Sequence, residues 1–486
     1  MSQSVSSTPS VRSIVSLSAI AVLIALIGGL MVAAYELDNR SFRVAALLMV
    51  PATVAVFAPV LTAMKFRPYD IFHPLNFVAL SFFFGVLGRC FFLLTSSSPV
   101  AADLLEGYPI DDLIPGSILS AIGSICLCVG YVYAGSLEFP TGWFSSILSR
   151  MDVRRLYVLL PVFFVVALVA TVLFLQQTGF QYSGLASLSS KRRVLINGVE
   201  SSLGYHRLFS EDVSRVILLM LTAIMLWPIR RDVFTKLSVF AFAILAVALP
   251  FLASSRSAVL ITVISICVAI NLLRGIRLST LMATFLACVV VVFGMLALRR
   301  ENNQGVSATE TLMSTGMEPL FGNKNFACVV KLSHIQQSVP ELIDYKYGQS
   351  YLGILYAPIP RSLWPGKPSI RMGREISEKL YNRGLDLKEK GGGTPPGLLA
   401  EAIVNFSVYA FPFVILTIGF LLAMFCNSLR RLAEESPAGV ALYAGIVPGF
   451  TLELLGGDSV GSLIFAASVT VITLAVCLAT RLKLIV

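Results

Sequence analysis

Between Tyr347 and Ser407 the chain gathers residue types that handle anions and sugars. The run Ile359-Pro360-Arg361-Ser362-Leu363-Trp364-Pro365-Gly366-Lys367-Pro368 sets Arg361 and Lys367 on either side of one of the protein's 3 tryptophans, and Arg371 and Arg374 follow. Prolines 360, 365 and 368 fix φ and rule out a long regular helix there. A guanidinium stays charged and engages an anion's oxygens in pairs. Trp364 offers a flat apolar face with a polar edge. Together these suit gripping an anion beside an apolar or sugar-like surface; the alternative for Trp364 is a loop anchor clamped by the prolines. Upstream stands His334, one of 3 histidines, whose ordinary pKa lets it accept a proton near neutral pH. Downstream, Glu401 and Asn405 are four apart and share one helical face, from which they can hydrogen-bond the loop above.

The elements that must carry these residues are apolar. With 56% hydrophobic residues, 13% charged and a mean hydropathy of +0.82, the chain is not a water-soluble domain. It reads as an all-α polytopic membrane protein whose solvent is the bilayer. Apolar runs long enough to cross recur near 14–35, 44–64, 74–95, 116–137, 156–176, 213–229, 237–253, 257–273, 279–298, 398–425, 437–453 and 460–480, about twelve spans by the length that a bilayer demands. The organisation predicted is a membrane domain over 1–298 that includes loop 177–212, a large loop over 299–397, and a last membrane segment over 398–486. The first run is too long for a typical signal-peptide core and is read as a span.

Short connections carrying Arg12, Lys65, Arg150, Arg154, Arg155, Arg230, Arg231, Arg274, Arg277, Arg430, Arg431 and Arg481 alternate with poorly charged ones. The positive-inside rule then puts both termini in the cytoplasm. Two outside loops break the bias: 177–212, with Arg193, and 299–397, which opens on Arg299 and Arg300. Long loops cross largely regardless of charge, and cations concentrated there imply an anionic ligand on the outer face. The bland alternative is solvation, since Glu301, Glu310, Glu375, Glu378 and other acids offset them; that reading is preferred for Lys379, Arg383, Lys388 and Lys390. Arg256, in the turn Ser254-Ser255-Arg256-Ser257, and Arg89, inside 74–95, are charges at or within apolar spans. Such charges are costly unless paired or wetted, and so are functional candidates; Arg256 can instead snorkel to the headgroups. Segment 347–358 is apolar but too short to span, and is expected in the outer interface with Tyr347, Tyr351 and Tyr356 at headgroup level. Gly391-Gly392-Gly393 lacks the Lys-Ser/Thr of a phosphate loop and reads as a hinge. The outer loops hold no His/Asp/Glu cluster with ligand spacing, so no metal is expected.

The stretch resembles the Wzy-type oligosaccharide repeat-unit polymerases, the O-antigen polymerase family of bacterial envelopes. The matching pieces are Gly-x-Ser-Tyr (348 to 351), Ile-Pro-Arg-Ser-x-Trp-Pro-x-Lys-Pro (359 to 368), Thr-Pro (394, 395) and Glu-x-x-x-Asn-Phe (401 to 406). Arg193 and Gly204 also match an Arg-x(10)-Gly spacing of that family's periplasmic loops. The chain departs from the family where it has Ser407 and Ser257 in place of glycine. The resemblance implies an enzyme of the bacterial cytoplasmic membrane with its active face in the periplasm. It would transfer a glycan from polyprenyl diphosphate to a sugar hydroxyl of the next lipid-linked unit, with no cofactor and no nucleotide sugar. It implies that Arg361, Arg256 and Arg193, with Arg299, Arg300, Lys367 and Arg371 behind them, stabilise the leaving diphosphate. Trp364 and Asn405 would meet the substrate, and either His334 or Glu401 would take the acceptor's proton. Implied partners are the lipid-linked oligosaccharide, membrane lipids, a chain-length regulator and a flippase, and no nucleic acid. Two other functions remain open: an O-antigen ligase delivering to lipopolysaccharide core, and a lipid-linked oligosaccharide flippase.

Overall fold

The computed structural model describes residues 39–66, 70–96, 98–105, 107–177, 195–196, 199–200, 211–227, 233–252, 256–284, 286–288, 321, 329–357, 359, 363–364, 366–367, 372–381 and 395–481. Eight helices in it are long and apolar enough to cross a membrane. Seven belong to α1 (Asn39–Ala63), α2 (Pro74–Thr95, with a π-helical turn at Phe83–Leu87), α3 (Ile114–Ala134), α4 (Val153–Gln177), α7 (Arg256–Arg274), α12 (Pro437–Gly456) and α13 (Ser459–Ala479), and the eighth is α11 (Gly397–Glu435). These match the spans expected at 44–64, 74–95, 116–137, 156–176, 257–273, 437–453, 460–480 and 398–425. The expected span 14–35 lies outside the described residues, and the one at 279–298 is described only as the shorter apolar helix Leu278–Cys288.

The span expected at 213–229 is a shorter helix, α5 (Val213–Leu226). It stops because Trp227 adopts an extended conformation, as a residue ahead of a proline prefers. Its residues Val213 to Ile224 are all buried. It is an inner helix beside α12. Next comes α6 (Val233–Leu252), packed on α5. Strand structure among the described residues is one antiparallel pairing, Leu195–Ile196 with Val199–Glu200. The Asn197-Gly198 dipeptide between them is the pair that two-residue hairpins favour.

With 89% of its apolar window buried, α12 is the hub of the bundle, packed against α2, α5, α7, α11 and α13. A close seam runs between α3 and α11, where small residues let the backbones touch. A Cβ at Gly130 would lie 2.0 Å from the Leu416 carbonyl oxygen, and one at Gly419 would lie 2.2 Å from that of Leu127. Helix α1 is tied to α3 by hydroxyls that reach across, Ser117 Oγ to the Leu48 carbonyl at 2.6 Å and Ser124 Oγ to that of Ala55 at 2.7 Å.

The segments predicted to face the cytoplasm meet at one end of the bundle. There Asn271 bonds Asp70, Arg431 pairs with Glu138, Arg274 reaches the Leu226 carbonyl, and Arg155 reaches that of Arg481. His73 also lies here: it caps the start of α2 through Nδ1 and stacks on Phe66 at 4.8 Å. Its pKa is lowered to about 4 by burial and then by Arg430. The opposite end carries the chemistry-bearing residues.

Candidate functional site

Two helix starts and one loop converge on Glu401. The first is that of α11, whose opening residues Gly397 to Asn405 are buried on every side, unlike an ordinary amphipathic helix. Ser407 then leaves helical geometry at φ 73°, a kink beyond which α11 buries one face only. The second start is that of α13, where Asp458 caps the helix through its bond to the Gly461 N–H. The turn before it is fastened to α11 by Gly397 N–H to the Gly457 carbonyl at 2.8 Å. The loop is segment 344–357, which crosses above both.

At the centre, Glu401 Oε1 accepts from Ser350 Oγ at 2.8 Å and Oε2 accepts from the Ser459 backbone N–H at 2.9 Å. Asn405 Nδ2 donates to Ser350 Oγ at 2.7 Å and to the Glu401 carbonyl at 2.8 Å, while its Oδ1 accepts from Gly348 N–H at 3.0 Å. Lys346 N–H adds a bond to the Val404 carbonyl at 2.9 Å. The loop can present these groups because Tyr347 and Gly348 both take positive φ, 47° and 83°, a conformation that suits glycine and is uncommon for tyrosine. Glu401, Asn405 and Ser350 are thus mutually satisfied, the arrangement in which the Glu401/Asn405 face bonds the loop above it. Two hydroxyls beside them, Tyr351 OH and Ser459 Oγ, are buried without a hydrogen-bond partner. Burial, and then the Glu401 charge, push the Tyr351 phenol well above its ordinary value, so it stays protonated at neutral pH. Sequence reasoning named Glu401 and Asn405 but not Ser459, whose signal is only that of a helix start after Gly456-Gly457-Asp458.

The Tyr351 ring turns inward and stacks on Phe406 at 6.2 Å, whereas Tyr347 is exposed. The inward position follows from the turn at Gly348, which aims residues 350 and 351 at α11.

His334 stands apart from this cluster, on α8 (Val329–Ser338), a buried helix packed against α3 and α11. Its ring stacks on Tyr108 at 3.8 Å, and Nδ1 lies 3.4 Å from the Tyr381 hydroxyl. Burial lowers its pKa to about 4, so it is a neutral imidazole near pH 7. Its neighbour Ser333 accepts from Gly116 N–H at 3.1 Å and fixes α8 to the start of α3.

Lys367 is only 6% exposed, and its ammonium is held by the carbonyls of Ala357 at 2.9 Å and Ile359 at 2.7 Å. In this geometry it closes the loop on itself. Trp364 is half-exposed and meets Tyr356 edge-on at 6.1 Å. Lys379, on α10 (Gly373–Lys379), pairs with Glu375 at 3.3 Å and Asp344 at 3.4 Å, and Glu375 also binds Lys346 at 2.7 Å. That is the solvated, offset charge expected of it. Arg89 is buried directly after the π-helical turn of α2. The backbone of Arg256 begins α7, but its side chain lies outside the described residues, as do Arg193, Arg299, Arg300, Arg361, Arg371 and the Gly391–Gly393 run. Among the expected site residues, the structure joins Glu401 and Asn405 to the Gly-x-Ser-Tyr loop, and it places His334, Trp364 and Lys367 in separate settings. Compared with known proteins, the chain matches no family model, no curated protein and no solved structure.

Proposed function

We propose that this multi-pass membrane protein is a glycosyltransferase that polymerises polyprenyl-diphosphate-linked oligosaccharide repeat units into a surface polysaccharide such as O-antigen. The observation that carries the proposal is the direct bonding of two motif pieces far apart in sequence, Gly348-x-Ser350-Tyr351 and Glu401-x-x-x-Asn405-Phe406. These are pieces the resemblance to Wzy-type polymerases rests on. Ser407 adds support: it holds a positive φ at the position where that family has glycine.

In the reaction proposed, a base takes the proton of the acceptor hydroxyl, and the oxygen attacks the anomeric carbon of the donor glycan. The bond from that carbon to the diphosphate breaks, and polyprenyl diphosphate leaves with the electron pair. Arg361, Arg256 and Arg193, supported by Arg299, Arg300 and Arg371, meet the charge that develops on the leaving group. Glu401 or His334 serves as the base. The end of the bundle that carries Arg155, Arg274, Arg431 and Arg481 faces the cytoplasm. The loop over 299–397 faces the periplasm of a bacterial cytoplasmic membrane, with about twelve spans in all.

The test is to incubate the purified protein with a lipid-linked repeat unit alone. A ladder of lengthening products is the expected result. Product that forms only after lipopolysaccharide core is added assigns the ligase reaction instead, and lipid movement across the bilayer without any glycosidic bond assigns a flippase.

A further inference from the structure

The loop above Glu401 is built inside out. Several of its polar groups turn inward, Ser350 to Glu401, the Tyr351 hydroxyl into the buried cluster, and the Lys367 ammonium onto two loop carbonyls. Its large apolar side chains point away from the protein: Leu352 is 54% exposed, Leu355 74% and Leu363 77%, with Ile359 and Trp364 beside them. Water-facing loops show the reverse pattern, because exposed leucines in a row carry a hydrophobic penalty there.

Between 349 and 359 much of the described backbone is satisfied from within. Successive N–H groups bond back into the loop: Gln349 to Lys346, Tyr351 to Gly348, Leu352 to Gln349, Gly353 to Ser350, Leu355 to Leu352, Ala357 to Gly353 and Ile359 to Tyr356. Lys367 N–H closes on the Trp364 carbonyl, and its ammonium occupies the carbonyls of Ala357 and Ile359. Internal satisfaction of backbone groups is what poorly hydrated surroundings demand of a segment that is not a long helix.

The exposed apolar surface also continues into a surface that must be lipid. Tyr351 stacks on Phe406, and one and two turns further along α11 stand Tyr409 and Phe413, 88% and 74% exposed on a membrane-spanning helix. The short helix α9 (Gly353–Tyr356), which carries Leu355, packs against α13, another spanning helix.

We propose that the described residues 352–357, 359, 363 and 364 form a monotopic anchor set into the interfacial zone of the phospholipid bilayer. Leu352, Leu355, Ile359, Leu363 and Trp364 enter the acyl boundary, and the polar side of the loop is turned to Glu401. The proposal does not depend on the chemistry assigned to the site. The anchor fixes the height of the Glu401 cluster near the membrane surface, where a lipid-linked substrate could reach it without leaving the bilayer.

Trp364 reports on this directly. In a Trp143→Phe/Trp227→Phe protein reconstituted in phosphatidylcholine vesicles, Trp364 is the remaining tryptophan. Its emission is expected to fall when the acyl chains are brominated near their glycerol end, and to resist acrylamide in the water. Full acrylamide quenching with no bromolipid effect would place the segment in water and overturn the proposal. Quenching by neither would overturn it equally, because another protein surface would then cover Trp364. Should the double variant not fold, the same contrast is read as the difference in emission between the wild-type protein and Trp364→Phe.

Discussion

Replacing Asn405 by leucine keeps the branched heavy-atom skeleton, with bulkier methyl ends, and deletes the latch between α11 and the loop. Three hydrogen bonds go: Gly348 N–H to Oδ1 at 3.0 Å, and Nδ2 to Ser350 Oγ at 2.7 Å and to the Glu401 carbonyl at 2.8 Å. The last is a minor loss, since that carbonyl sits within a helix. Gly348 N–H is left without its partner at a cost of about 1–3 kcal/mol, and the Ser350 bond accounts for about 1 kcal/mol more. The loop should therefore open more readily by about 2–4 kcal/mol, which at about 1.4 kcal/mol per tenfold is a rise of roughly 30-fold to 700-fold in its open population. The bundle below should hold, because the neighbouring tie from Lys346 N–H to the Val404 carbonyl and the one from Gly397 N–H to Gly457 both remain. Hydrogen exchange read on a peptide covering 344–356 measures this, with a peptide from α12 as the internal standard. Faster exchange confined to the loop is the expected result. Unchanged protection of Gly348 in a folded Asn405→Leu protein would refute the view that this side chain holds the loop down.

Three further predictions follow from the packing, the buried histidine and the proposed anion site. Gly130→Ala and Gly419→Ala each drive a Cβ into a backbone carbonyl across the α3–α11 seam, so each should cost about 1–3 kcal/mol. In a detergent melt that appears as a lowered midpoint, whereas Gly142→Ala, which meets nothing within 4 Å, should melt as wild type. His334, with its pKa lowered to about 4 from 6.5, stays neutral in the folded protein while an unfolded histidine takes up a proton. The unfolded state binds more protons between those values, so stability should fall as pH drops through that window, by up to about 3 kcal/mol from this site. His334→Asn should flatten that acid limb, and an unaltered limb would refute the burial argument. In single-turnover glycan transfer, Arg361→Ala should lose on the order of a hundredfold and Arg361→Lys should lose part of that, while Arg383→Ala stays near wild type; a wild-type rate in Arg361→Ala would remove its role at the diphosphate.

The spanning helices were legible because each is a run of apolar residues of the length a bilayer requires, and chain-wide hydropathy does not depend on which face meets which. At 213–229 hydropathy set the helix end a few residues late, because a proline bounds it: Pro228 holds Trp227 in an extended conformation. Of the site, Glu401 and Asn405 were legible from their spacing on one helical face, and Ser350 from its motif. Ser459 was not, for a physical reason. Its contribution is a backbone N–H at the start of α13, and a main-chain donor has no residue type to betray it. The same holds for Lys367: its charge was legible, but its partners, the carbonyls of Ala357 and Ile359, are main-chain acceptors that no residue type announces.

Ser407 shows how the fold and the site are one problem. The head of α11, Gly397 to Asn405, must be buried on every side to hold Glu401 under the loop, while Tyr409, Phe413 and Leu421 on the same helix must face lipid. A straight helix of 39 residues would run about 58 Å, well beyond a hydrocarbon core of about 30 Å. One break solves both constraints, since it lets the head tilt into the bundle while the tail spans. The break falls at Ser407, with φ 73° and ψ 166°, a region all but reserved for glycine, and a non-glycine residue there costs about 1–3 kcal/mol. It also falls directly after Phe406, whose ring receives Tyr351 from the loop. The residue that bends the helix therefore sits between the surface that meets lipid and the cluster that meets the loop, and the strain it holds is the cost of joining them on one element.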